Sequence, residues 1–145
     1  MNKQKSFPIL MILGASILLY RTIRLLTIEN GWETLAIWVI TCTIIEMLID
    51  FFCIAFSFSW LIKTNLNSKI IALRLGAAAA IFHAFRVLIY VIGRVGPFNN
   101  FDLKPQFRNT QNVEMFWVYF ASILSILGII GVIIIWRIIK KKKSK

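Results

Sequence analysis

The hydrophobic residues of this chain fall into four long runs, and the short stretches between them hold most of the polar residues. The runs cover residues 7–28, 32–61, 70–93 and 115–136. A helix needs about 20 mostly apolar residues to cross the hydrocarbon core of a bilayer, and each run is long enough. The pattern therefore predicts an all-α, polytopic integral membrane protein, a single domain in which four transmembrane helices form a bundle.

The composition favours the same fold class. Of the 145 residues, 59% are hydrophobic, and the mean hydropathy is +0.76, whereas soluble domains are usually about 45–50% apolar. The first run follows Lys3 and Lys5, and its stretch from Phe7 to Tyr20 has the length of the apolar part of a signal peptide. Because no small-residue cleavage motif follows it, we expect a retained helix.

The connections between the runs differ in length. The second and third runs are joined by a short polar stretch from Lys63 to Lys69, so their helices should be antiparallel neighbours. Residues 93–112 form a long loop that nevertheless contains Phe98, Phe101 and Phe107. A loop with three phenylalanines is expected to lie against the bilayer interface or to fold back onto the bundle.

The net charge of +11 is distributed unevenly along the chain. With four spans, ten of the seventeen Lys and Arg residues lie on the side of the two termini, and three lie on the other side. This asymmetry is typical of the positive-inside rule and not of a nucleic-acid-binding face, so we expect cytoplasmic termini and no nucleic-acid partner. The location would be the plasma membrane of a prokaryote. In a eukaryote the endoplasmic reticulum is possible, because the last four residues fit a dilysine signal.

A basic cytoplasmic tail is predicted over residues 137–145. Lysine and arginine at the ends of membrane helices reach the lipid headgroups, and anionic lipids attract them. We therefore expect the bilayer, and its anionic headgroups in particular, as partners. The residues predicted to contact headgroups are Arg74, Arg137, Lys140, Lys141, Lys142 and Lys143.

Ionisable residues within the runs are the best candidates for a functional site. A charge inside a membrane costs several kcal/mol unless it is paired or lines a cavity. At 100° per residue, Glu46 and Asp50 share a face of the second helix with Cys42, and His83 and Arg86 share a face of the third. The predicted intramembrane polar cluster contains Glu46, Asp50, His83, Arg86, Arg21, Arg24 and Tyr90.

The polar cluster has three interpretations at this point. It is a set of structural ion pairs that neutralise one another, a polar cavity for a proton, an ion or an anionic headgroup, or a surface that pairs with another subunit. The single histidine, His83, is either a hydrogen-bonded core residue or part of a proton relay. One histidine does not supply two axial ligands to a haem, and the two cysteines are not spaced as metal ligands, so we expect no cofactor and no metal.

The chain contains none of the common catalytic motifs, so a membrane hydrolase that uses Glu46 or Asp50 with His83 is the less favoured alternative. Two other functional hypotheses lead. The first is a structural, assembly or accessory subunit that is held together by intramembrane charge pairs and binds a partner membrane subunit. The second is a small homo-oligomeric transporter or proton-coupled permease that uses the Glu, Asp, His and Arg side chains of the cluster.

Overall fold

Nearly every residue that the computed structural model describes lies in a helix. The described parts of the chain are residues 3–27, 31–63, 66–96, 100–109 and 115–143. The helices are α1 (Lys3–Thr27), α2 (Gly31–Thr34), α3 (Ile37–Lys63), α4 (Leu66–Val95) and α5 (Met115–Lys143), with a short 3-10 turn at Pro105–Phe107. All but α2 are long and apolar enough to cross a membrane. The predicted all-α, four-helix membrane bundle is confirmed.

The helices pack in a simple order. One side of α3 packs along α1 and another along α4, and α5 packs on α4. One hydrophobic cluster, around Leu26, Leu35 and Leu103, lies at what we call the loop end of the bundle. A second cluster, around Trp60, Leu73 and Ile135, lies at the terminal end, where α1 begins and α5 ends. Along α3, Glu46 and Asp50 therefore lie between Val39 of the first cluster and Trp60 of the second.

The second span starts later than the sequence pattern predicted. The predicted run began at residue 32, but the short helix α2 stops at Thr34 and α3 starts at Ile37. Between them the backbone pairs with the long loop: the Ala36 N–H donates to the Asp102 carbonyl, and the Lys104 N–H donates to the Thr34 carbonyl, each at 2.9 Å. These bonds satisfy polar backbone groups that a continuous helix would have satisfied internally.

The other predicted boundaries also differ from the helix ends. The first run was predicted over 7–28 and the third over 70–93, whereas α1 is Lys3–Thr27 and α4 is Leu66–Val95. Polar residues at the ends extend these helices beyond their apolar cores. The backbone of α5 stays helical to Lys143, within the predicted tail, because lysine, arginine and isoleucine are adequate helix formers and no glycine or proline intervenes.

The described part of the long loop folds back onto the bundle. Leu103 is 1% exposed, and Phe107 packs against the same loop-end cluster. The ring of Phe101 stacks on Trp38 with centroids 5.9 Å apart. Of the two alternatives for this loop, folding back applies to residues 100–109, and Phe98 lies outside the described residues.

Gly31 permits the close approach of α2 to the end of α1. A Cβ atom at this position would overlap the Leu25 carbonyl oxygen, which belongs to the backbone and cannot rotate away. We expect Gly31→Ala to lower the free energy of unfolding by about 1–3 kcal/mol, as overpacking usually does. Thermal unfolding of the detergent-purified protein measures this. The matched control is Gly14→Ala, since no atom of the described residues lies within 4 Å of a Cβ there. Equal melting temperatures for both variants would contradict the prediction.

Candidate functional site

Three of the predicted residues form a compact buried group between α3 and α4, which we call the charge cluster: Glu46, His83 and Arg86. The Arg86 Nε donates to Oε2 of Glu46 at 2.6 Å, and its Nη2 donates to Oε1 at 3.3 Å. The His83 Nδ1 lies 3.2 Å from the same Oε1. Glu46 is 1% exposed, His83 2% and Arg86 14%. The carboxylate is thus held by two groups on the neighbouring helix.

The local sequence explains how these groups meet. His83 and Arg86 are three residues apart, so they lie on the same face of α4. Small residues on that helix, including the buried Ala72 and Ala79, let α3 approach closely. The Cys53 thiol lies 3.8 Å from the Ala72 carbonyl oxygen, which shows how near the two helices come.

His83 has two ways of taking part in the cluster. Its Nδ1 lies 3.1 Å from the Arg86 Nη2 as well as 3.2 Å from the Glu46 carboxylate. When Nδ1 carries a proton it donates to Glu46, and when it does not it accepts from Arg86. Its other ring nitrogen, Nε2, is buried and has no hydrogen-bond partner among the described residues. The histidine therefore fits the cluster in either neutral tautomer.

Asp50 lies one helical turn from Glu46, towards the terminal end, and is fully buried. Neither carboxyl oxygen has a hydrogen-bond partner within the described part of the chain. The charges that act on it are those of Glu46 and Arg86. A buried carboxyl group without hydrogen bonds is costly, particularly beside another carboxylate. Asp50 is thus placed next to the charge cluster without being bonded into it.

The remaining predicted cluster residues lie around the charge cluster. Arg21 is half-buried and reaches α5, where its guanidinium carbon lies 5.5 Å from the centroid of the Phe120 ring. Arg24 is half-buried in the last turn of α1, towards the loop end. Tyr90 is half-buried on α4, one turn beyond Arg86. These three residues extend the polar region from the bundle centre towards the loop end.

The residues predicted to contact lipid headgroups are only partly described. Arg74 and Arg137 are exposed, as a headgroup contact requires. The side chains of Lys140, Lys141, Lys142 and Lys143 lie outside the described part of the structure. Headgroup binding therefore stays a prediction for all six residues.

Sequence reasoning missed several buried hydroxyl groups beside the cluster. Thr22 and Thr43 are fully buried, whereas Cys42, which was predicted to share the face of Glu46, is only half-buried. The Thr43 hydroxyl donates to the Val39 carbonyl at 2.8 Å, and the Thr22 hydroxyl donates to the Leu19 carbonyl at 2.8 Å. The three-residue spacing from Thr43 to Glu46 is the signal that could have identified it.

Comparisons with known proteins do not add to this description. No protein-family model, no curated protein and no solved structure matches the chain. Among the described residues, no group of three or more His, Cys, Asp or Glu side chains is arranged to hold a metal ion. What the protein does must therefore be inferred from the arrangement of its own side chains.

Proposed function

We propose that this chain is a small structural or accessory subunit of a membrane assembly, and that its charge cluster locks the helices of the bundle together. The observation that carries this proposal is the pairing of Glu46 with both Arg86 and His83 across the α3–α4 interface. A pair of opposite charges satisfied within one chain stabilises a helix pair in a medium where an isolated charge would be costly. In this proposal the charge cluster stabilises the fold, and the lipid-facing surfaces of the helices bind the partner.

The surroundings of the cluster favour a structural role over conduction. A route for protons or ions would connect the cluster to both membrane surfaces through polar groups or water. In the described structure, apolar side chains around Trp60 pack the terminal end of the bundle, whereas Arg21, Arg24 and Tyr90 extend the polar region only towards the loop end. The acid of the charge cluster, Glu46, is almost fully buried. This arrangement is typical of an internal ion pair.

A second function is favoured by Asp50. Among the described residues, its two carboxyl oxygens and the Nε2 of His83 have no hydrogen-bond partner, which leaves buried capacity to bind a proton or a small cation. This is the arrangement expected of a proton-coupled permease, and an oligomer would be needed to enclose a path, because four helices leave little room between them. We rank it second because it requires a polar route to both membrane surfaces, and the side chains that pack around Trp60 at the terminal end are apolar.

Proton flux in reconstituted vesicles tests the choice between the two functions. We expect vesicles that contain the wild-type protein to lose an imposed pH gradient no faster than protein-free vesicles, because the cluster is structural. A pH-sensitive dye inside the vesicles measures the rate. Faster loss that is abolished by Asp50→Asn, while the variant folds normally, would contradict the accessory-subunit proposal and establish the permease.

The proposed orientation, with both termini in the cytoplasm, has its own test. In a background without Cys42 and Cys53, Ser144→Cys should be protected from a membrane-impermeant thiol reagent in intact cells. Gln106→Cys, at an exposed position in the loop, should be labelled and serves as the matched control. The reverse pattern would show that the positive-inside prediction is wrong for this chain.

A further inference from the structure

Asp50 lies deep in the bundle, beside a point where α1, α3 and α4 meet. A Cβ atom on Gly76 of α4 would overlap the end of the Met11 side chain of α1, and it would lie 3.6 Å from the Cys53 thiol of α3. Cys53 follows Asp50 by three residues, so Asp50 lies about one turn from this meeting point, towards the loop end. Its side chain is fully buried and belongs to the interior of the three-helix packing.

The neighbouring helices present small apolar side chains at the level of Asp50. One turn from Met11, towards the loop end, α1 has Ala15, and one turn from Gly76 in the same direction α4 has Ala79; both alanines are buried. Their side chains are methyl groups, and the backbone N–H groups inside a helix are already bonded within it. Both carboxyl oxygens of Asp50 accordingly have no hydrogen-bond partner among the described residues.

The charged groups around Asp50 are engaged elsewhere. Arg86 donates through Nε and Nη2 to the Glu46 carboxylate, Arg21 contacts the Phe120 ring of α5, and α5 has no acidic or basic side chain before Arg137. In the described part of the chain, none of these cations donates to Asp50. The titratable or charged groups nearest its level are Glu46 and Cys53 on α3, His83 and Arg86 on α4, and Arg21 and Arg24 on α1.

One proton makes the charge cluster and Asp50 together electrically neutral. When His83 is uncharged, the Glu46 carboxylate balances the Arg86 guanidinium, and an ionised Asp50 would add a second negative charge. Side chains four residues apart on a helix have Cβ atoms about 5–6 Å from each other, and two carboxylates so close in a low dielectric do not both ionise without a large cost. A proton on Asp50 removes the second charge.

A proton on His83 would also make the group neutral, but it fits the contacts less well. The imidazolium would place a second positive charge 3.1 Å from the Arg86 Nη2. Its Nε2–H would be a buried, charged donor, and Asp50 a buried carboxylate, each without a hydrogen-bond partner among the residues that the structure describes. Because unpaired buried charges cost far more than unpaired neutral polar groups, the proton is better placed on Asp50.

We propose that Asp50 binds a proton in the folded protein, and that release of this proton weakens the packing of α3 against α1 and α4. Release transfers the proton to water and leaves a second carboxylate beside Glu46, at a level where the neighbouring side chains are methyl groups. The bundle is therefore sensitive to rising pH. The inference holds for an accessory subunit and for a permease, because a bound proton stabilises the bundle without having to cross the membrane.

Infrared difference spectroscopy of the protein in lipid bilayers tests whether Asp50 carries the proton. A protonated carboxylic acid has a carbonyl stretching band that a carboxylate lacks. At neutral pH we expect this band in the difference between the wild type and Asp50→Asn. The difference between the wild type and Glu33→Gln, which changes an exposed acid, should not contain it. A spectrum of Asp50→Asn that retains the full band of the wild type, or a wild type without the band, would overturn the proposal.

The pH dependence of unfolding tests the effect on packing. In the unfolded chain Asp50 meets water and is ionised above about pH 4, so the folded protein binds one proton more, and its stability falls as the pH rises. From about pH 5 to about pH 8 we expect the melting temperature of the wild type in detergent to fall relative to that of Asp50→Asn, with Glu33→Gln parallel to the wild type. Parallel profiles for the wild type and Asp50→Asn, or a relative rise of the wild type, would contradict the proposal.

Discussion

Replacing Glu46 with glutamine is expected to destabilise the bundle more than any other single change in the charge cluster. The variant leaves Arg86, only 14% exposed, without the carboxylate that accepts two of its hydrogen bonds. Removing one partner of a buried ion pair usually costs about 3–5 kcal/mol. We expect a lower yield of folded protein and a clearly lower melting temperature in detergent, measured by thermal unfolding of the purified variant.

A matched control and a charge exchange make this result specific. Glu33 is an exposed acid on the short helix α2, so Glu33→Gln should leave the melting temperature unchanged. Exchanging the charges, with Glu46→Arg and Arg86→Glu in one chain, should restore part of the stability that each single change removes, because the pair is re-formed. A Glu46→Gln variant as stable as the wild type would show that the charge cluster does not hold the helices together.

Replacing Asp50 with asparagine is expected to have the opposite effect, although Asp50 lies only one turn from Glu46. Its carboxyl oxygens have no hydrogen-bond partner among the described residues, and it lies beside the Glu46 carboxylate. The amide has nearly the same shape and carries no charge, so the variant loses no bond and avoids a second buried acid. We expect a melting temperature equal to that of the wild type or higher.

Comparing the two variants separates a structural cluster from a functional one. In the accessory-subunit account only Glu46→Gln lowers stability, and neither change affects proton flux. Thermal unfolding and vesicle flux, measured on the same preparations, give both readouts. A strongly destabilised Asp50→Asn would mean that the Asp50 carboxyl is essential to the fold, which contradicts the role assigned to it here.

The hydrophobic pattern was sufficient to predict the four spans. A segment inside a bilayer must satisfy its backbone hydrogen bonds without water, and a long apolar run does so by forming a helix. The pattern did not predict the break in the second span, where the loop between α4 and α5 pairs with the backbone. The break between Thr34 and Ile37 depends on hydrogen bonds to Asp102 and Lys104, which are far away in sequence. A tertiary contact of this kind leaves no periodic signal near the break.

Helical spacing also indicated where the site would form, since Glu46 and the pair of His83 and Arg86 lie on helix faces that the short connection allows to meet. It did not distinguish Asp50 from Glu46, although within the described part of the chain only the Glu46 carboxylate accepts hydrogen bonds. Which of the two acids on this face of α3 meets Arg86 and His83 depends on how far α3 is shifted along its axis relative to α4.

Native mass spectrometry of the protein, extracted gently from its own membrane, tests the proposed accessory role most directly. The account predicts a complex that contains a second, different polypeptide in a fixed ratio to this chain, and it predicts that Glu46→Gln reduces the amount of that complex. A homo-oligomer of this chain alone, stable without any second polypeptide, would contradict the account and favour the permease.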